Sequence, residues 1–177
     1  CMLSGKVTDE IFNILLPSYQ FERANAWYSS YGKPNEQVQI LIYLGRSYAN
    51  DGDYDKAMSI YTNALEIGEK NKLYNLVGYT YSYIGDLYRE KAMRTEAIKK
   101  YEMAADNFKK ENNTDSYACA LRDMGREYAC TDSISRALEI LLMADSITET
   151  SEDKDVKASI ENTLGNIYVM HNKYDKA

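Results

Sequence analysis

The sequence predicts an all-α protein built from antiparallel helix pairs repeated along the chain, the α-solenoid class. Three observations carry this. First, Leu44-Gly45 with Tyr48 and Ala57 returns as Ile84-Gly85 with Tyr88 and Ala97, as Met124-Gly125 with Tyr128 and Ala137, and as Leu164-Gly165 with Tyr168 and Ala177. The step is 40 residues each time, and a fixed period of that length marks stacked helical hairpins. Second, apolar residues between these anchors fall at helical spacing, as in Ala57, Tyr61, Ala64 and Leu65. Third, the chain has 2 prolines and 9 glycines, which argues against a linker-rich or disordered protein.

The elements follow in order. Residues 1–7 show no periodic pattern. From Thr8, Ile11, Leu15 and Leu16 share a helical face, and Thr8 with Asp9 suits its start. Pro17 lacks a donor and clashes with the preceding turn, so it ends or kinks that run. Ala24, Trp27, Tyr28 and Tyr31 lie at helical spacing, and Gly32-Lys33-Pro34-Asn35 stops the stretch. Residues 1–34 are therefore read as a helical cap or degenerate first unit, and 35–177 as the array.

Four units follow, at about 35–72, 73–112, 113–152 and 153–177, the last incomplete. In the first helix of unit one, Val38, Leu41, Leu44 and Tyr48 mark the packing faces. Gly45 sits within that helix at a cost of about 1 kcal/mol relative to Ala, and its recurrence implies a close approach of the facing helix, nearly backbone to backbone. Asn50-Asp51-Gly52-Asp53 makes the turn, with Gly52 free to take positive φ and Asp53 placed to cap the second helix. The next turn, Lys91 to Thr95, has no glycine, and Thr95 is expected to cap. His171 is placed near the turn that ends the last first helix, whose apolar face then lacks a partner.

Net charge is −6, which disfavours nucleic acid, since affinity for phosphate backbones comes from clustered Lys and Arg. Acid is concentrated between Asp132 and Asp155, the mark of a solvated face. No apolar run approaches the roughly 20 residues of a membrane span. Cys119 and Cys130 are about 16 Å apart along one predicted helix, too far for a bridge. One histidine and no Cys/His cluster leave no metal site or cofactor to expect. No phosphate loop, Ser/His/Asp arrangement or HExxH is present, so no catalytic residue is assigned and an enzyme is not expected. The chain opens at Cys1, either an acylated lipoprotein start or a chain simply cut there. The first makes it periplasmic or membrane-anchored, the second cytoplasmic. Ala177 falls in the first turn of a helix, as in a fragment.

The Leu-Gly…Tyr and Ala…aromatic…Ala positions resemble the tetratricopeptide repeat family. The helix B positions are Ala57/Tyr61/Ala64, Ala97/Tyr101/Ala104 and Ala137/Leu141/Ala144. The resemblance covers about residues 35–177 and implies a right-handed α-solenoid, a superhelix. Units of 40 rather than the family's usual 34 residues, without its usual proline after helix B, imply longer helices. A narrower resemblance, through the Tyr31–Gln37 turn, is to membrane-attached tetratricopeptide proteins of Bacteroides-type bacteria, and it implies a sensory domain of a larger regulator as an alternative.

The family geometry implies a concave groove lined by helix A. Its positions here are Gln39, Ile42, Arg46, Ala49 and Asn50; Tyr79, Ser82, Asp86, Arg89 and Glu90; Cys119, Arg122, Arg126, Ala129 and Cys130; and Ser159, Asn162, Asn166, Val169 and Met170. Partner binding is assigned to Arg46, Asn50, Tyr79, Asp86, Arg89, Arg122, Arg126, Asn162 and Asn166. Arg forks fit carboxylates and Asn can hold a peptide backbone, so the expected partner is a peptide or protein with an acidic or C-terminal carboxylate segment. The alternative for Arg46 and Arg126 is pairing with Asp86, Glu90 or Asp123. Cys119 and Cys130 read as packing residues. Membrane attachment is expected only through Cys1 or a segment outside this chain, and self-association through the incomplete last unit is a further expectation.

Overall fold

A computed structural model describes residues 18–131, 133–149, 151 and 153–174. The expectations for residues 1–16, for Pro17 and for residues 175–177 lie outside these. The described residues form eight helices: α1 Ser18–Tyr31, α2 Pro34–Asn50, α3 Tyr54–Lys70, α4 Tyr74–Glu90, α5 Arg94–Lys110, α6 Thr114–Ala129, α7 Ile134–Thr148 and α8 Lys154–Tyr174. From α2 onward every helix begins 20 residues after the last, and α2 to α5 are each 17 residues long. The fold is all-α and of the α-solenoid class.

The turns explain that regularity. Gly52, Lys72, Ala92 and Asn112 all adopt positive φ, at 81°, 55°, 56° and 54°. They too stand 20 residues apart. One left-handed residue closes each three-residue turn through main-chain hydrogen bonds. At Ala92 these run from its own N–H to the Arg89 carbonyl at 2.9 Å and from the Met93 N–H to the Tyr88 carbonyl at 2.8 Å. This replaces the expected Thr95 cap: α5 starts at Arg94, so Thr95 already lies in the first turn, and Met93 precedes it without a side-chain cap. Asp53 does cap α3, accepting from the Lys56 N–H at 3.3 Å. Asn113 caps α6 in the same way, through the Ser116 N–H at 3.1 Å.

A left-handed alanine costs about 1–2 kcal/mol, and glycine costs roughly 0.5–1 kcal/mol in chain entropy. Ala92→Gly should therefore stabilise the protein slightly, raising the thermal midpoint by about 1–3 °C. A calorimetric midpoint that falls would contradict this account of the turn.

The chain divides after Lys72 into two compact units. In the first, α2 packs on both α1 and α3. Val38, Leu41, Leu44, Ala57, Tyr61 and Ala64 form its core. The Tyr48 hydroxyl donates to the Glu22 carboxylate on α1. Trp27, expected among the packing residues of α1, is 54% exposed and stands edge-on to Tyr28. Tyr28 and Ala24 are the residues turned towards the rest of the unit, and helical spacing alone did not separate Trp27 from them.

The second unit holds α4 to α8, with α4 on α5, α5 on α6, and α6 on α7. Here the reading of the helix A glycines needs correction. The partner is a side chain and not a facing backbone. A Cβ at Gly85 would lie 2.6 Å from Cε1 of Tyr101, and one at Gly125 would lie 2.8 Å from Cγ of Leu141. In the first unit Gly45 takes the Tyr61 ring in the same way. Each glycine is a notch, and the plug comes from helix B sixteen residues later. Among the described residues nothing lies within 4 Å of a Cβ placed at Gly165 on α8. A second notch, at Gly78, takes the Phe108 ring: a Cβ there would lie 2.7 Å from its Cε1. The expected turn at His171 is also corrected. Helix α8 continues through residues 171–174, so His171 lies within it.

Candidate functional site

Tyr101 links the core to the site. Because Gly85 admits its ring, the phenol crosses to α4 and donates to Asp86 Oδ1 at 2.9 Å. Arg89, one turn along, reaches the same oxygen at 3.0 Å and touches Glu90 at 3.3 Å. Burial pushes the Asp86 carboxyl above its usual range, against the pull of Arg89 and the Tyr101 hydrogen bond. Burial first, then the Asp86 charge, pushes the Tyr101 phenol up as well.

Helix α6 carries the next cluster. Asp123 Oδ1 accepts from Arg122 NH2 at 2.9 Å, from Arg122 Nε at 3.1 Å and from Arg126 NH2 at 2.7 Å. Arg122 also donates from NH1 to Ser159 Oγ on α8 at 2.9 Å. Its fork is therefore committed to the protein. Arg126 differs: its Nε is buried without a hydrogen-bond partner. Two guanidinium groups share one carboxylate, which leaves local positive charge. Cys119 Sγ lies 4.0 Å from Arg122, yet burial pushes the thiol up and away from thiolate character.

Two clefts open along this face of the second unit. One, of about 470 Å³, is lined by Arg122, Arg126 and Cys130 of α6 and its C-terminus and by Ser159, Asn162 and Asn166 of α8. The other, of about 200 Å³, is lined by Tyr79, Tyr83, Asp86, Phe108, Cys119 and Asp123. Of the assigned residues, Arg122, Arg126, Asn162 and Asn166 thus meet in one cleft, and Tyr79 and Asp86 meet in the other. Arg89 is drawn to Asp86 and Glu90. Arg46 and Asn50 stand on α2 in the first unit, Arg46 with its guanidinium 6.0 Å from the Tyr43 ring centre. Ile42, counted as a groove position, is 6% exposed and belongs to the core, whereas Ala129, also buried, lines the larger cleft. The side chain of Met170 lies outside those described.

Counting helix A positions missed Phe108 and Ser116. Phe108 comes from helix B and reaches the cleft over Gly78. Its ring stands edge-on to Tyr79 with centres 4.9 Å apart, and the Tyr79 hydroxyl lies 2.8 Å from Ser116 Oγ. The signal available was Gly78 itself, a second small residue two helical turns before Gly85 on the same face. Among the described residues no three His, Cys, Asp or Glu side chains gather as a metal site, and no helix is long and apolar enough to cross a membrane.

Comparison with known proteins bears on the fold. Residues 36–110 match the tetratricopeptide repeat family model. A photosystem I assembly protein, Ycf3, from Acaryochloris marina is 34% identical over 79 residues, 44% of this chain and 47% of that protein. Its counterpart from Rippkaea orientalis is 30% identical over 77 residues, 43% of this chain and 44% of that protein. The chain spans somewhat less than half the length of these curated relatives. Among solved structures, BtubC (BKLC) from P. vanneervenii superposes with a TM-score of 0.70 at 20% identity, over 89% of this chain and 69% of that one. The N-terminal domain of stress-induced protein-1 (STI-1) from C. elegans gives 0.59 at 17% identity, over 73% of this chain and 96% of that one. The fold is therefore the tetratricopeptide-like α-solenoid, and residues 36–110 are similar to the repeat of that family.

Proposed function

We propose that this chain is a non-enzymatic protein-interaction module whose second unit holds an extended segment of a partner against α4, α6 and α8. The supporting observation is the pair of neighbouring clefts. Each is lined at positions where the repeats differ from one another, while the positions they share are spent on notches and plugs. Arg122 and Asp123 form the ridge between them. In the larger cleft, Arg126, its side chain 42% exposed, stands beside Asn162 and Asn166. That combination suits a carboxylate, from an acidic side chain or a chain terminus, together with its adjoining peptide backbone.

An array of immobilised peptides tests the reading. Arg126→Glu with Asn166→Ala should cut binding to acidic peptides about tenfold or more, because it reverses the charge and removes a backbone contact. Met103→Ser on α5 and Leu142→Ser on α7, both exposed helix B positions, should leave the pattern unchanged. Equal binding by the cleft variant and the wild-type chain would overturn the assignment. The alternative, a sensory domain within a larger membrane-attached regulator, rests on sequence resemblance alone, through the Tyr-rich 40-residue repeats and the Tyr31–Gln37 turn.

A further inference from the structure

We infer that the smaller cleft, between α4, α5 and α6, receives a cationic side chain, a lysine or arginine of the bound segment. This rests on reading that face as the partner-binding one. Its walls combine three aromatic rings, Tyr79, Tyr83 and Phe108, with the carboxylates of Asp86 and Asp123. Among the described residues no cationic side chain lines it, although Arg89 already holds Asp86 Oδ1 and Arg122 and Arg126 hold Asp123 Oδ1. The ring wall is fixed in advance: Tyr79 is held at its hydroxyl by Ser116 and at its face by the edge of Phe108. Tyr79 remains 38% exposed, so the ring is there to be covered.

The charge points the same way. Asp86 takes both of its contacts, from Tyr101 and Arg89, on Oδ1, and among the described residues Oδ2 takes none. Burial raises its carboxyl against the pull of Arg89 and the Tyr101 hydrogen bond. An aliphatic stem passing between the rings, with its cation near Asp86, satisfies both the apolar walls and the unmatched oxygen. Elsewhere the chain seats its own lysines this way: Lys110 Nζ stands 5.1 Å from the Tyr74 ring centre and Lys100 Nζ 5.5 Å from that of Tyr81. A segment carrying a base for this cleft and an acid for its neighbour would be read in one direction along the face.

The probes are Nα-acetyl-lysine methylamide and Nα-acetyl-norleucine methylamide, which keeps the four-carbon stem but lacks the ε-ammonium, titrated into the isotope-labelled 177-residue chain and followed by amide chemical shifts. The lysine probe should give saturable shifts at Ser82, Ser116 and Cys119. The norleucine probe should bind about tenfold more weakly, the difference expected for one charge-assisted contact. Asp86→Asn, which keeps the side-chain shape, should remove that preference. Tyr79→Leu should weaken the lysine probe while leaving the norleucine probe in place. Equal shifts from both probes, or none from either, would overturn the cationic pocket. Since Arg126 and Asn166 play no part in this titration, failure here and failure of the peptide array are separable results.

Discussion

Gly85→Ala should lose about 2 kcal/mol of stability, while the same substitution at Gly165 should gain up to about 1 kcal/mol. At both sites the change removes a glycine from a helix, which alone favours alanine by about 1 kcal/mol. At Gly85 the new methyl would stand 2.6 Å from the Tyr101 ring. That ring is fully buried, so it cannot swing away, and overpacking of this kind costs about 1–3 kcal/mol. Moving the ring also draws its hydroxyl from Asp86 and loses that hydrogen bond, a further loss of about 1 kcal/mol. At Gly165 no atom of the described residues lies within 4 Å, so only the helix term remains. Thermal midpoints should shift down by about 4–8 °C in the first case and up by about 2–4 °C in the second. Shifts of the same sign would show that these glycines are not notches. Gly85→Ala should also disturb the small cleft, because Tyr101 positions Asp86.

Arg94→Met should cost about 3 kcal/mol. Glu127 lies on α6 with its side chain 2% exposed, and Arg94 NH1 at 2.9 Å is its ion-pair partner. Removing the cation leaves a carboxylate in the core with nothing to offset its lost hydration, and such breaks cost roughly 3–5 kcal/mol. The lower end applies because Arg94 itself is 38% exposed, so solvent screens part of the interaction. Arg94→Met together with Glu127→Leu should recover most of the loss, since two apolar groups of similar volume can replace a buried pair. Urea denaturation of the two single variants and the double variant closes the cycle. Additive losses would show that the two charges are not coupled.

The period of 40 carried the fold in plain view, because a repeated Leu-Gly-x-x-Tyr is a pattern of packing residues and packing is what sets the hairpin. Asp53 was readable as a cap for a similar reason: its role is local. What lay hidden depended on contacts across helices. Nothing near Arg94 or Glu127 in sequence announces that they meet 33 positions apart. Ala92 gives no sign that it will take the backbone conformation of Gly52, since the geometry is imposed by helices on either side. Trp27 shares its helical spacing with the half-buried Ala24 and Tyr28 and is exposed, because period locates a face without saying how far the neighbouring helix reaches over it. The candidate site was partly legible. Arg122, Arg126, Asn162 and Asn166 came together as their register required, whereas Phe108 entered from the other helix of the hairpin.

The left-handed turn residues recur in twenties, while the notches and plugs recur in forties. The main chain therefore treats the two helices of a hairpin as equivalent, and the side chains do not. A gene rearrangement that added or removed 40 residues at a turn would keep every plug opposite its notch. One that added or removed 20 would close every turn just as well, yet set plug against plug. The length of such a protein can change freely, but only in steps its core can recognise.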